Sequence, residues 1–265
     1  MSRTSQRSGS IWMPHAAHGP DPPLRRINWS AATRIVASKY PPIDLYERVS
    51  PDPAVWDALI AAEMLTNPRV RDEVGAIHLV PVEERVSGPG ASYVMASFTH
   101  LNPKGGRFSD AAHGAYYAAG DLPTAVAETA YHFGQFAADS ADGPRYEEMR
   151  VIVGRIDADL HDIELLDLAG RQRLLDPIDY TFSQAFALEL RAAGSTGVHY
   201  PSVRRASGKC VAMFRPTAVG LPVQTKHLKY HWDGTAVRRY FDYELDTWID
   251  IEPTANGSRV VLDCT

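Results

Sequence analysis

One arginine, a tyrosine pair and one glutamate stand in "GRFSDAAHGAYYAAGDLPTAVAETAYH", residues 106–132, among alanine, glycine and small polar residues. The guanidinium of Arg107 is suited to anionic oxygens, and the carboxylate of Glu128 to a developing cation or a proton. Taken singly, each has a plainer reading: Arg107 as a solvated residue of the turn "KGGRF", Glu128 as a solvated carboxylate on a helix. Tyr116 and Tyr117 would point to opposite faces of a strand, so at least one packs in the core. The loop "YPSVRRASGK" sets Ser202 beside Arg204, Arg205 and Lys209, though a serine turn with solvated cations is the more frequent outcome. "HLKYH" spaces His227 and His231 four apart, but on a strand these are ordinary residues, and no metal is assigned. A G-x-S-x-G elbow, a P-loop, a G-x-G-x-x-G turn and paired C-x-x-C motifs are all missing.

Elements must bring such residues together. "DPAVWDALIAAEMLTNP" predicts a helix from near Asp52 to before Pro68, with Val55, Leu59, Ala62 and Leu65 as its core stripe. "AIHLVPV" and "SYVMASF" predict strands across the turn "EERVSGPGA", and "GAYYAA" a short strand. Asp121 can cap the next helix and Pro123 suits its first turn; Val126, Ala130, Phe133 and Ala137 share one face, and Glu128 points well away from it. "MRVIVGRID" predicts a strand and "TFSQAFALELRAAG" a helix closed by Gly194. "GVHYP" and "KCVAMFRP" predict strands flanking the Ser202 loop, and Asp233-Gly234 a hairpin turn in "HLKYHWDGTAVRRYF". Strands and helices mix without regular alternation, which predicts an α+β fold, a mixed sheet with flanking helices.

The 265 residues suffice for one substantial core, so residues 31–265 are expected to form a single domain with a C-terminal hairpin extension. Residues 1–30 read as a flexible arm. A net charge of −5 offers no broad attraction for nucleic acid. No apolar run approaches the roughly 20 residues that span a bilayer. Two cysteines, Cys210 and Cys264, fit free thiols in a reducing cytoplasm.

The ordered set of residues 106–132, then "GVHYPSVRRASGKCVAMFRP", with "LYERVS" upstream, resembles the RES-domain family, named for its arginine, glutamate and serine. The resemblance covers roughly residues 40 to 230. It implies a bacterial toxin that degrades NAD, a cognate Xre-type antitoxin, and a fold similar to that of ADP-ribosylating toxins. Residue by residue it implies that Arg107, Glu128 and Ser202 are the name-giving catalytic residues, that Arg48 is the early arginine, and that Tyr117 is the tyrosine on the strand before the glutamate helix; for NAD, Arg48 and Arg107 suit the pyrophosphate, and Tyr117 and Phe108 an aromatic wall on the nicotinamide. Phe108 stands where many members have tryptophan. Thr181 and Ser183 are alternatives for the functional hydroxyl. NAD would be the substrate, with no prosthetic group and with inorganic phosphate as an alternative co-substrate. Water as acceptor makes a glycohydrolase, phosphate a phosphorylase, a protein side chain an ADP-ribosyltransferase; a non-catalytic nucleotide-binding module and a homo-oligomer remain open.

Overall fold

Two long strands organise the molecule. In the structure, a computed structural model that describes residues 21–252 except 41, 42, 44, 47, 48, 68 and 142, β1 (Leu24–Ala37) pairs antiparallel with β3 (Arg145–Asp162) from Leu24↔His161 to Ala37↔Met149. β3 buries Met149 and Val151 on one face and Ile156, Ala158 and Leu160 on the other, which explains its nearly continuous apolar sequence. β1 takes in residues 24–30, part of the expected arm, because their backbone pairs with β3.

Three short strands close the sheet around these two. β2 (Tyr116–Ala119), β4 (Gly197–Pro201) and β5 (Lys209–Met213) form a ring with them through the pairs β1–β2, β2–β5, β5–β4, β4–β3 and β3–β1. From the N-terminal half of β3 the sheet continues outward through β6 (Val223–Trp232), β7 (Val237–Asp242) and β8 (Thr247–Asp250). The hairpin reading at Asp233-Gly234 stands, and a third strand extends it.

Helices α1 (Trp56–Glu63), α2 (Val70–Val74) and α3 (Ala91–Thr99) cover one face. α4 (Leu122–Asp139), α5 (Leu168–Leu174) and α6 (Thr181–Ala192) belong to the other. The fold is α+β. None of the helices among the described residues is long and apolar enough to cross a membrane.

Three expectations fail. "SYVMASF" lies in α3, not a strand: Ala91, Val94, Met95 and Phe98 are buried at helical spacing. "AIHLVPV" forms 3-10 turns at Ile77–Leu79 and Val82–Glu84 around Pro81, instead of a strand. α1 buries Trp56 and Ile60, while Val55, Ala62 and Leu65 are exposed. By contrast α4 follows its signals: Asp121 Oδ1 accepts from Thr124 N at 2.7 Å, and Val126, Ala130, Phe133 and Ala137 are buried together. Gly194, at φ 82°, follows α6 where only a residue tolerant of the left-handed region fits.

Candidate active site

Between α4, β2 and the α5–α6 connection lies a cleft of about 1000 Å³. Its walls include Arg34, Arg107, Tyr117, Glu128, His132 and Tyr180. That volume is at the upper end of small-molecule sites, about 300–1000 Å³, and is ample for a dinucleotide.

The turn before β2 places Arg107. Gly105 sits at φ 69°, and a Cβ on Gly106 would come within 2.8 Å of the Tyr117 hydroxyl. Arg107 is 7% exposed; its Nη1 donates to Leu174 O at 3.2 Å and Asp176 O at 2.5 Å, and its guanidinium lies 4.6 Å from the Tyr180 ring centre. It is therefore no solvated turn residue. The Tyr117 hydroxyl accepts from Phe108 N at 2.9 Å and meets Ser109 Oγ at 3.0 Å; burial pushes its pKa up, so it stays neutral.

Glu128 leaves α4 on the side opposite the core and opens half-buried into the same cleft. Its Oε1 accepts from Ser202 Oγ at 2.6 Å. That hydroxyl in turn accepts from Arg204 N and Arg205 N, both at 3.1 Å, so its proton is directed at the carboxylate. Ser202 is not on the cleft wall. One turn along α4, His132 also faces the cleft. Burial, then the positive charges of Arg204 and Arg107, hold its pKa below 6.5 against the opposing pull of Glu128.

Two residues absent from the sequence reading complete the site. Arg34, from β1, lines the cleft, donates from Nη1 to Tyr117 O at 3.0 Å and lies 5.0 Å from the Tyr116 ring centre. Among the described residues its buried Nε has no hydrogen-bond partner and no carboxylate pairs with it, and burial lowers its pKa. His132 is the other; its only signal was its position four residues after Glu128.

The remaining candidates divide. Arg48 lies outside the described residues. Phe108 is fully enclosed, edge-on to Tyr200 at 4.9 Å, and walls nothing in the cleft, because the Phe108 N–H bond to Tyr117 turns the ring into the core. Thr181 lines the cleft; Ser183 is buried and donates to Tyr180 O at 3.0 Å. Arg204 stacks 3.3 Å over Tyr131 and donates to Pro177 O, Arg205 stands 3.8 Å from Asp121, and Lys209 pairs with Glu164. None of the three cations of the Ser202 loop is on the cleft wall, although Arg204 rests on Tyr131 and Pro177, which are. His227 and His231 are strand residues of β6. Asp162, Glu164 and His199 cluster at metal-ligand spacing, but Arg25 lies 2.8 Å from Asp162 and Lys209 pairs with Glu164, so both carboxylates already have cations.

The family model of the RES domain matches residues 83–233, and the chain belongs to the RES-domain family. The match spans the Arg107 turn, β2, α4 and the Ser202 loop. An uncharacterized protein of Sinorhizobium fredii (strain NBRC 101917 / NGR234), y4oC, is 27% identical over 227 residues, 84% of this chain and 92% of that protein. Among solved structures, a chain of the MbcT–MbcA toxin–antitoxin complex of M. tuberculosis is 14% identical, with a TM-score of 0.39, over 76% of this chain and 86% of its own.

Proposed function

We propose that this RES-domain protein is a toxin that consumes NAD by cleaving the bond between nicotinamide and ribose. One observation carries the reading: a carboxylate oriented by a serine shares a dinucleotide-sized cleft with two guanidinium groups, neither of which is paired with a carboxylate among the described residues. Family membership supports it, and with it a cognate Xre-type antitoxin as partner.

The chemistry follows from charge. As the C1′–N bond breaks, its electron pair goes to the nicotinamide nitrogen, which becomes neutral, and the ribose carbon takes on oxocarbenium character. Glu128 beside that carbon stabilises the transition state more than the ground state, since the positive charge moves onto the sugar. Ser202 fixes one carboxylate oxygen and leaves the other to face the sugar. Arg34 and Arg107 bind the pyrophosphate. Tyr117, neutral and half-enclosed, walls the nicotinamide.

Water then adds to C1′ and its proton leaves through Glu128 or the neutral His132. Water is the first acceptor because it needs no further cation, and Arg204, Arg205 and Lys209 are engaged elsewhere. Purified full-length protein incubated with NAD should release nicotinamide and ADP-ribose, and Glu128→Ala or Arg107→Ala should abolish release. NAD left intact with and without phosphate would overturn the assignment; label from NAD on a protein band would instead make the acceptor a side chain.

A further inference from the structure

The helices α1–α3 cover only part of their face of the sheet. The cover ends where Tyr93 of α3 meets Gln224 at 3.1 Å and the guanidinium of Arg150 at 5.8 Å from its ring centre. Beyond that border, among the described residues, the face of β3, β6, β7 and β8 is open. Alternation along β3 puts Tyr146 and Glu148 on the same side as Ile156, Ala158 and Leu160, so this is the side that α1–α3 bury elsewhere.

The open face is aromatic. Tyr146 is 57% exposed, Tyr243 43% and Trp248 38%. Their rings form a continuous ladder across four strands: Tyr146 to His231 at 5.1 Å, Tyr146 to Trp248 at 5.9 Å, Trp248 to Phe241 at 5.5 Å and Phe241 to Tyr243 at 5.2 Å. Lys229 and Arg239 lie among these rings, Arg239 at 4.8 Å from Trp248. A contiguous aromatic surface on one edge of a sheet marks a place where something docks.

Register identifies the occupant. Cross-strand pairing gives two adjacent rows, Glu148–Lys229–Phe241–Trp248 and Tyr146–His231–Arg239–Asp250. The first begins with its acid and the second ends with one, so each row is the other reversed in chemical order: acid, cation, ring, ring. A two-fold axis parallel to the strands would set Glu148 against Trp248 of a second copy, Lys229 against Phe241, His231 against Arg239 and Tyr146 against Asp250. An axis across the strands would set Glu148 against Tyr146, Lys229 against His231, Phe241 against Arg239 and Trp248 against Asp250. Either way each carboxylate meets a tyrosine or tryptophan donor, each cation meets a ring, and the two acids and the cations Lys229 and Arg239 never face their like. That is the self-complementarity an isologous contact requires, and a balanced face has no preference for a polyanion.

We propose that this face pairs two copies of the chain sheet to sheet. Two rows of four residues offer less than the roughly 800 Å² per partner of a standard interface, so the dimer is weak and forms at tens of micromolar or above. Sedimentation velocity of the full chain from about 1 to about 200 µM, a span around that expected range, should show monomer giving way to dimer. Phe241→Arg places a second cation against Lys229 or Arg239 under either axis and should keep the chain monomeric; Trp248→Ala should weaken the dimer at least tenfold. Should Phe241→Arg lose its fold by circular dichroism, Tyr146→Ser, at the most exposed position of the ladder, takes its place. A chain monomeric throughout would overturn the proposal and leave the face to a different protein; dimers that persist in the folded variants would move the contact elsewhere. Neither result bears on NAD cleavage, which is assayed separately in dilute monomer.

Discussion

Ser202→Ala should slow catalysis without weakening substrate binding. The hydroxyl sits 2.6 Å from Glu128 Oε1 and off the cleft wall, so the substrate meets it only through the carboxylate. A hydrogen bond to a charged group contributes about 1.5–3 kcal/mol. Glu128 needs that restraint most when the sugar carries positive charge, so most of the loss falls on the transition state: at about 1.4 kcal/mol per tenfold, kcat drops roughly 10- to 100-fold. KM for NAD should stay within about twofold, the signature of an interaction made only in the transition state. The same change leaves the Arg204 and Arg205 N–H groups, now 3.1 Å from Ser202 Oγ, without their acceptor. A stability loss of about 1–3 kcal/mol therefore accompanies it, and a thermal melt beside the kinetics separates unfolded from slow enzyme. Ser202→Thr keeps the hydroxyl and should recover most of kcat. A raised KM at unchanged kcat would mean that Ser202 touches substrate, and full activity of the alanine variant would mean that nothing depends on its hold on Glu128.

Arg34→Met should raise KM for NAD about 10- to 100-fold while leaving the melting temperature little changed, because relief of a buried charge that has no carboxylate partner among the described residues offsets the lost hydrogen bond to Tyr117 O; steady-state kinetics and a melt test both halves. His132, held below 6.5, binds protons less readily in the folded than in the unfolded chain, so stability falls as the pH drops through 6.5; His132→Gln should flatten the loss of melting temperature between about pH 7 and about pH 5.5. An unchanged slope would refute the assignment. Gly106→Ala drives a methyl group to within 2.8 Å of the Tyr117 hydroxyl and 3.1 Å of Ser109 Oγ, and should destabilise by about 1–3 kcal/mol on denaturant titration and lower nicotinamide release.

What the sequence made legible was what neighbouring residues decide. α4 has its cap, its first-turn proline and its buried face within seventeen residues, Asp121 to Ala137, so its start, its core side and the outward direction of Glu128 all follow locally. α3 was misread because seven mostly apolar residues fit a strand as well as a buried helix; only the 91, 94, 95, 98 spacing, which crosses the edge of that window, separates them. The site was legible as a set of residue types but not as a set of contacts. Ser202 and Glu128 stand 74 positions apart, and nothing in the serine loop reveals that its hydroxyl points at a helix rather than at substrate. Arg34 left even less trace: "AATRIVA" is an unremarkable strand, and its significance arises only when β1 lays it against Tyr116 and Tyr117, eighty residues later. Phe108 fails in the opposite sense, since adjacency to Arg107 invited a shared role although the Phe108 ring is enclosed in the core against Tyr200. On the proposed reading the function therefore rests on β1, β2 and α4 meeting at one cleft, with the Ser202 loop holding Glu128 from outside it. The sheet's closure through β1–β2 and β1–β3 enforces that meeting, so substitutions that loosen β1 should impair the cleft before they unfold the rest.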